Sequence, residues 1–240
     1  MNLFRNIEPR IVPWIDKDNP KSRITHALVE GSEKSGDFQV FKTARSEQEA
    51  QLYLNNFKSF GHIALFPSES SKYLNVMMPY LNGNGVDLAS GGWPVVEHAI
   101  QVELPKEEFS KYTGGRKPAC PIHWQGDIRS LPFKDGVLDF VHVSHALEDF
   151  HQSEWPAMLK EWGRVLKPTG FLVVLVPEHS AWQHCIQVLG QCPNCSHAPP
   201  REPILGEMSA AAKSVGLRVI EERETNLFEF DYTILGVFAR

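Results

Sequence analysis

The chain has 240 residues, and its 42% hydrophobic content is enough for one large core or for one core with a small appendage. A formal net charge of −5 and a pI of about 6.1 argue against an extended nucleic-acid-binding surface. No apolar run approaches the roughly 20 residues that a membrane-spanning helix needs. The N-terminus lacks a signal-peptide pattern, and four cysteines do not make a disulfide framework, so we expect a cytoplasmic protein.

Residues 1–84 are the least informative part of the sequence. Ser46 and Glu49 have the spacing of a capping box, which predicts a helix from this point to about Phe57. We interpret the region as an N-terminal cap that helps to shape a substrate pocket. Plain packing against a sheet edge is an equally good interpretation.

A second region begins at Gly85 with the sequence GVDLASGG, which predicts a short strand followed by a glycine-containing loop. Sheets of this kind bind ligands at the carboxyl ends of their strands, and glycines let the backbone approach a ligand closely. Only residues 93–98 separate this loop from the next apolar run, and Pro94 interrupts them. The helix that usually follows such a loop must therefore be very short or absent.

Two carboxylates follow the next two predicted strands. Glu103 ends the apolar run 99–102, and Asp127 follows the strand predicted at 122–125, within the sequence GDIRSLPF. A carboxylate at the end of a second strand can accept hydrogen bonds from both hydroxyls of a ribose, as in dinucleotide-binding folds. The alternatives are a solvated strand-end carboxylate for Glu103 and a turn or helix-capping aspartate for Asp127.

The stretch 126–177 predicts a βαβ unit. Two nearly continuous apolar runs, 137–143 and 171–176, are typical of parallel strands that are covered on both faces. Between them, Ser153 is a candidate N-cap, and Lys167 and Gly170 belong to the turn that ends the helix. The two strands are therefore expected to be parallel neighbours.

The loop after the first of these strands contains His145 and Glu148. A histidine near its ordinary pKa of about 6.5 can take a proton from a hydroxyl or an amine. Loop histidines also cap helices or contact a cofactor, so His145 is a candidate catalytic residue with these alternatives open.

Residues 178–207 are predicted to be a lid-like insertion over the ligand-binding end of the sheet. Its candidate substrate-binding residues are polar or aromatic: His179, Trp182, Asn194 and His197. Cys192 and Cys195 form a CxxC motif with Cys185 nearby, but a second regular pair of zinc ligands is missing. We therefore expect no metal site. A helix at 207–215, a strand at 217–222 and a final strand at 233–239 complete the chain.

In their order and spacing, these motifs resemble the class I S-adenosylmethionine-dependent methyltransferase domain of the type 11 kind, over residues 85–240 with 178–207 divergent. The resemblance implies an α/β, Rossmann-like, doubly wound and mostly parallel seven-stranded sheet. Its last strand is expected to insert antiparallel beside the sixth.

The resemblance also implies a cofactor, S-adenosylmethionine, and roles for the motif residues. Glu103 would accept from the ribose hydroxyls and Asp127 from the adenine amino group. The full set of implied cofactor-binding residues is Asp87, Ala89, Ser90, Gly91, Gly92, Glu103, Asp127, Ile128 and Ser144. The family pattern acidic-x-Gly-x-Gly-x-Gly is incomplete here, because Ala89 and Trp93 replace two of its glycines.

Three functional hypotheses follow. The first is an enzyme that moves a methyl group from S-adenosylmethionine to oxygen or nitrogen of a small-molecule or saccharide-like acceptor. The second is a catalytically silent relative that binds a partner. The third, a nicotinamide-dependent oxidoreductase, lacks the GxGxxG motif. The first is favoured because the three carboxylates Asp87, Glu103 and Asp127 are all present.

Overall fold

The computed structural model describes residues 8–14, 24–30, 39–61, 69–112, 115, 118, 120–189, 202–228 and 231–240. The chain divides into two compact units, one of residues 1–75 with 227–229 and one of residues 76–226 with 230–240. Residues 76–84 therefore belong with the second unit. The contacts of Tyr80 explain this: its ring lies 5.2 Å from that of Phe171, and its hydroxyl donates to Glu221 at 3.1 Å.

The first unit contains a three-stranded antiparallel sheet of β1 (Arg10–Pro13), β2 (His26–Glu30) and β3 (Gln39–Ala44). Helix α1 (Glu47–Phe60) packs on it, and a 3₁₀ turn (Glu69–Tyr73) leads into α2 (Leu74–Met77). The predicted α1 cap is confirmed, because the Ser46 hydroxyl accepts from the Glu49 amide at 3.1 Å. The Glu49 carboxylate accepts a hydrogen bond from the Arg45 amide, whereas in a standard capping box it would accept from the amide of the N-cap residue, Ser46.

The second unit is built on a seven-stranded sheet in the order β6-β5-β4-β7-β8-β10-β9. Its strands are β4 (Gly85–Leu88), β5 (Ile100–Glu103), β6 (Trp124–Gln125), β7 (Leu138–Ser144), β8 (Leu166–Pro177), β9 (Arg218–Glu224) and β10 (Thr233–Ala239). Strands β6, β5, β4, β7 and β8 are mutually parallel, and β10 is antiparallel to both of its neighbours. The predicted fold class is confirmed, including the antiparallel strand. The chain reverses its direction across the sheet between β4 and β7, which is where such folds bind ligands.

The helices of this unit are α3 (Lys106–Tyr112), α4 (Trp155–Val165), α5 (His179–Leu189) and α6 (Glu207–Ser214). The cluster that α4 and α6 share with the sheet explains the continuous apolar runs of β7 and β8. Trp162 of α4 is fully buried there and donates to the Ile128 carbonyl at 2.8 Å. No helix forms in the stretch 89–99, which the structure describes throughout, as the sequence predicted.

The predicted N-cap of α4 was wrong. A 3₁₀ turn (Gln152–Glu154) precedes the helix and is capped by His151. The N-cap position of α4 itself is Glu154, which makes no side-chain capping hydrogen bond. The His151 ring accepts from the Ser153 amide at 3.3 Å, and the Glu154 carboxylate accepts from the His151 amide at 3.2 Å. An imidazole nitrogen here replaces the hydroxyl oxygen that the sequence pattern suggested.

Candidate functional site

A cavity of about 470 Å³ lies at the carboxyl ends of the central parallel strands of the second unit. Five neighbouring segments line it: the loop after β4, the end of β5, helix α3, the loop after β6 and the loop after β7. The lining residues are Ala89, Gly91, Glu103, Leu104, Pro105, Glu108, Phe109, Gly126, Asp127, Ile128, Arg129, His145, Ala146, Asp149 and Phe150. The cavity therefore lies where the order of the strands reverses, between β4 and β7.

The loop after β4 adopts left-handed backbone at Ala89, Gly91 and Gly92, with φ of 55°, 65° and 82°. The Ala89 amide donates to the Val102 carbonyl at 2.9 Å, which fixes the start of the loop to β5. A Cβ atom on Gly91 would meet no atom within 4 Å. Since Gly91 lines the cavity, its missing side chain leaves room for a ligand to approach the backbone.

Glu103 places a buried carboxylate beside this loop, with only 3% of the residue exposed. It accepts hydrogen bonds from the Gly91 amide and, at 3.3 Å, from the Ser90 hydroxyl. Burial raises the pKa of Glu103 from its ordinary value of 4.5 to about 7; the Gly91 hydrogen bond acts in the opposite direction, and the nearby Asp87 adds to the rise. Glu103 is therefore a carboxylate whose charge is poorly solvated, and additional donors would stabilise it.

Asp127 has a different environment at the edge of the cavity. Its side chain is 48% exposed, and its two oxygens accept from the Arg129 guanidinium at 2.8–3.0 Å. These hydrogen bonds hold the pKa of Asp127 below its usual range. The Arg129 guanidinium also reaches Glu154 at 3.3 Å and lies 5.5 Å from the centre of the Phe150 ring. Asp127 is thus an ionised hydrogen-bond acceptor whose direction Arg129 fixes.

His145 also lines the cavity, just after β7, with φ of 51°. Its amide donates to the Leu175 carbonyl at 2.9 Å, and its Nδ1 atom lies 3.1 Å from Oε1 of the buried Glu148. The ring meets Tyr232 edge-on at 6.3 Å. These contacts hold the imidazole in one orientation, with 15% of the side chain exposed.

The structure brings six of the predicted cofactor or catalytic residues to one cavity: Ala89, Gly91, Glu103, Asp127, Ile128 and His145. The other four do not line it. Ser90 and Gly92 support the loop through a Gly92 amide to Ser90 hydroxyl bond of 3.2 Å, and Ser144 ends β7. Asp87 lies beneath the loop, and both of its oxygens are bonded to protein groups, His142 and the Val95 amide, at 2.6 Å.

Neither His179 nor Trp182, two of the predicted substrate-binding residues, lines the cavity. Trp182 is 2% exposed and packs edge-on against Tyr232 at 5.2 Å, while the His179 amide donates to the Pro203 carbonyl at 2.8 Å. Asn194 and His197 lie outside the described residues, as do Cys192 and Cys195. Within the described part of the chain, no group of three or more potential metal ligands comes together.

Sequence reasoning missed several lining residues. Arg129 and Phe150 were not identified, although Arg129 stands two positions after Asp127, where a partner for that carboxylate would be expected. Leu104 and Phe109 supply apolar surface beside Glu103. Leu104 is a large apolar residue with 36% exposure, a feature that only the structure reveals.

Residues 87–174 match the family model for a methyltransferase domain. That span contains every residue that lines the cavity. This stretch is similar to a methyltransferase domain, and the sequence motifs resemble the class I, S-adenosylmethionine-dependent kind. No curated protein matches the sequence, and among the described residues no helix is long and apolar enough to cross a membrane.

Solved structures of methyltransferases resemble the chain at low sequence identity. An S-adenosylmethionine-dependent methyltransferase from Methanosarcina mazei is 14% identical with a TM-score of 0.46, and the match covers 69% of this chain and 96% of that one. The corresponding enzyme from Mesorhizobium loti is 14% identical with a TM-score of 0.49, covering 71% and 97%. One from Clostridium acetobutylicum is 13% identical with a TM-score of 0.49, covering 70% and 88%.

S-adenosylmethionine is the cofactor of this class of domain, and the residues present fit it. A ribose diol needs a paired acceptor, and the buried Glu103 carboxylate faces the cavity. An adenine ring needs apolar surface and an acceptor for its amino group, which Leu104, Phe109 and Asp127 can provide. The open backbone at Gly91 lines the same cavity.

Proposed function

We propose that the chain is a methyltransferase that binds S-adenosylmethionine in this cavity and transfers its methyl group, by in-line displacement, to oxygen or nitrogen of a small-molecule or saccharide-like acceptor. One observation supports this most strongly. Carboxylates at the ends of two neighbouring strands, Glu103 and Asp127, line the same cavity as the open glycine Gly91. An ordinary surface carboxylate would not be buried as Glu103 is.

In this proposal Glu103 accepts from the ribose hydroxyls and Asp127 accepts from the adenine amino group. Leu104, Phe109 and Ile128 contact the adenine ring. The two carboxylates suit their roles, because Asp127 is already oriented by Arg129, whereas Glu103 has only backbone and hydroxyl donors around its charge. Donation from a diol would add the solvation that burial removes.

When bound, S-adenosylmethionine supplies a methyl group that its sulfonium has already activated. The protein then has mainly to hold acceptor and methyl group in line, and such alignment can provide most of the rate enhancement. We assign His145 the role of accepting the acceptor's proton. Glu148 supports this by its 3.1 Å contact with Nδ1, which would orient the ring and stabilise its protonated form.

Selection of the acceptor by residues 178–207, with the N-terminal region as an accessory, stays a prediction. The catalytically silent relative also stays open. Its motivation is the incomplete glycine pattern, since Ala89 occupies a left-handed position that glycine adopts without strain. Cofactor binding separates the two hypotheses.

The test is calorimetric titration with S-adenosylmethionine and with S-adenosylhomocysteine. We expect micromolar binding, about −8 kcal/mol, to the native chain. Asp127→Asn and Glu103→Ala should each weaken it by roughly tenfold or more, because each removes an acceptor with a formal charge. Glu107→Ala is the matched control, since Glu107 is exposed on α3 but does not line the cavity.

Failure of a well-folded native chain to bind either ligand would reject the proposal and favour the silent relative. If the ligands bind but the carboxylate variants bind equally well, the cofactor lies elsewhere. Where binding is confirmed, incubation with methyl-labelled cofactor and candidate acceptors would identify the acceptor. His145→Gln should then lower turnover more than it lowers cofactor affinity.

A further inference from the structure

A buried aspartate and histidine form a pair beneath the loop that follows β4, residues 89–99, which we call the cofactor loop. Asp87 of β4 and His142 of β7 are register partners in the parallel sheet. The His142 Nδ1 atom lies 2.6 Å from Asp87 Oδ1, and the side chains are 1% and 3% exposed. The second Asp87 oxygen accepts from the Val95 amide at 2.6 Å. A chain of contacts thus runs from the centre of the sheet to the far end of the loop.

This loop lacks the helix that would ordinarily hold its far end. Residues 89–99 contain no helical segment, so their amides must be fixed by other groups. The near end is anchored to β5 through the Ala89 amide and the Glu103 carboxylate. Asp87 provides the corresponding anchor at Val95.

The second ring nitrogen of His142 shows what the histidine contributes. Nε2 is buried, and no group in the described part of the chain forms a hydrogen bond with it. A leucine at this position of the sheet would leave no polar atom unsatisfied. Since an unsatisfied buried nitrogen is destabilising, packing alone does not account for histidine here, and the bond to Asp87 is what it adds.

We propose that His142 is a positioning residue for cofactor binding: through Asp87 it fixes the loop 89–95 in place of the missing helix. The inference rests on the proposed function for its effect on binding, but not for its effect on the loop. Nδ1 donates to the carboxylate, which keeps the other oxygen directed at the Val95 amide. The loop is then already in its binding conformation before a ligand arrives.

The test compares two polar substitutions that imitate different ring nitrogens. In His142→Asn the amide nitrogen is attached at the same branch point as Nδ1, so it can still donate to Asp87. In His142→Gln the amide nitrogen is one bond further along, near the position of Nε2, and the donation to Asp87 is lost. Val173→Ala, at the register partner of His142 on β8, is the control for general loss of core packing.

Hydrogen exchange of the amides in 89–95 is measured on each ligand-free protein, together with the dissociation constant for S-adenosylhomocysteine. We expect His142→Gln to speed exchange and to weaken binding by roughly tenfold or more, the effect of losing a hydrogen bond to a charged group. His142→Asn should stay within about threefold of the native chain in both measurements. Val173→Ala should lower overall stability without a selective change in the loop.

Equal loop exchange in the Asn and Gln variants would overturn the inference, as would a loop change in Val173→Ala matching that of the Gln variant. If His142→Gln does not fold, His142→Leu takes its place under the same criteria. If the native chain binds no cofactor while the Asn and Gln variants still differ in loop exchange, the proposed function fails and the anchoring role of His142 stands.

Discussion

Replacing Glu103 by glutamine should stabilise the folded chain at high pH while weakening its cofactor binding. The carboxyl group has a pKa of about 7 in the folded protein and an ordinary value of 4.5. The folded state therefore holds a proton between these values that the unfolded state has released. As pH rises through this window, the folded state loses stability, and the free energy of unfolding falls by about 3 kcal/mol in all. Glutamine keeps an acceptor for the Gly91 amide and carries no charge to bury.

Urea unfolding at pH 5 and pH 8 measures this effect. Relative to the native chain, Glu103→Gln should gain about 2 to 3 kcal/mol between pH 5 and pH 8. Glu107→Gln, on the exposed face of α3, is the control for removing a carboxylate without removing a buried charge. A Glu103→Gln advantage of the same size at both pH values would refute the reasoning, because the pKa would then not be raised by folding.

The raised pKa of Glu103 also predicts how cofactor binding depends on pH. If the ionised Glu103 carboxylate accepts from the ribose, protonation competes with the ligand below pH 7. The affinity of the native chain for S-adenosylhomocysteine should then fall by about tenfold between pH 8 and pH 6. Glu103→Gln should bind more weakly but with a flatter profile, and subtracting its profile removes the ligand's own titration. Parallel profiles for the two proteins would contradict the ribose assignment.

Three further predictions concern neighbouring positions. Gly91→Ala and Gly216→Ala both place a side chain at positive φ with open space around it, so each should lose about 1 to 2 kcal/mol of stability in urea unfolding. Of these two variants, only Gly91→Ala should weaken S-adenosylhomocysteine binding, because Gly91 lines the cavity and Gly216 does not. Ala89→Gly relieves the strain of an alanine in left-handed backbone and should change the free energy of unfolding by less than about 1 kcal/mol. Ala99 is buried without such strain, so Ala99→Gly should lose about 1 kcal/mol or more in the same assay. Arg129→Gln should raise the pKa of Asp127, measured by carboxyl carbon NMR titration, since the guanidinium is what lowers it; an unchanged pKa would mean that this ion pair does not persist in solution.

The fold was accessible from the sequence because its main signals are local. The apolar runs of β7 and β8 report burial on both faces. Helix α4 ends at Val165, close to its predicted end, but the predicted turn at 167–170 was wrong, because these residues belong to β8. The missing first helix was predicted from the short stretch 93–98 and Pro94. Such features depend on a few consecutive residues and on periodicity, which the sequence shows directly.

The site was only partly accessible, because side-chain partnerships join residues far apart in the chain. Asp87 was expected to bind cofactor, yet the structure pairs it with His142, which the sequence shows only as one residue of an apolar run. The start of α4 shows the same limit at short range. Ser153 has a suitable capping side chain, but it lies within a 3₁₀ turn that His151 caps, and the N-cap position of α4 falls on Glu154.

The cofactor loop therefore lies between two buried carboxylates with different partners. Asp87 is bonded within the protein on both oxygens, to His142 and to the Val95 amide. Glu103 faces the cavity, and the charge of Asp87 contributes to its raised pKa. A ligand that donates hydrogen bonds to Glu103 must lower that pKa, and by linkage it must recover part of the stability that burial of the charge removed. Cofactor binding should for that reason stabilise the native chain more at pH 8 than at pH 6, and this extra stabilisation should disappear in Glu103→Gln.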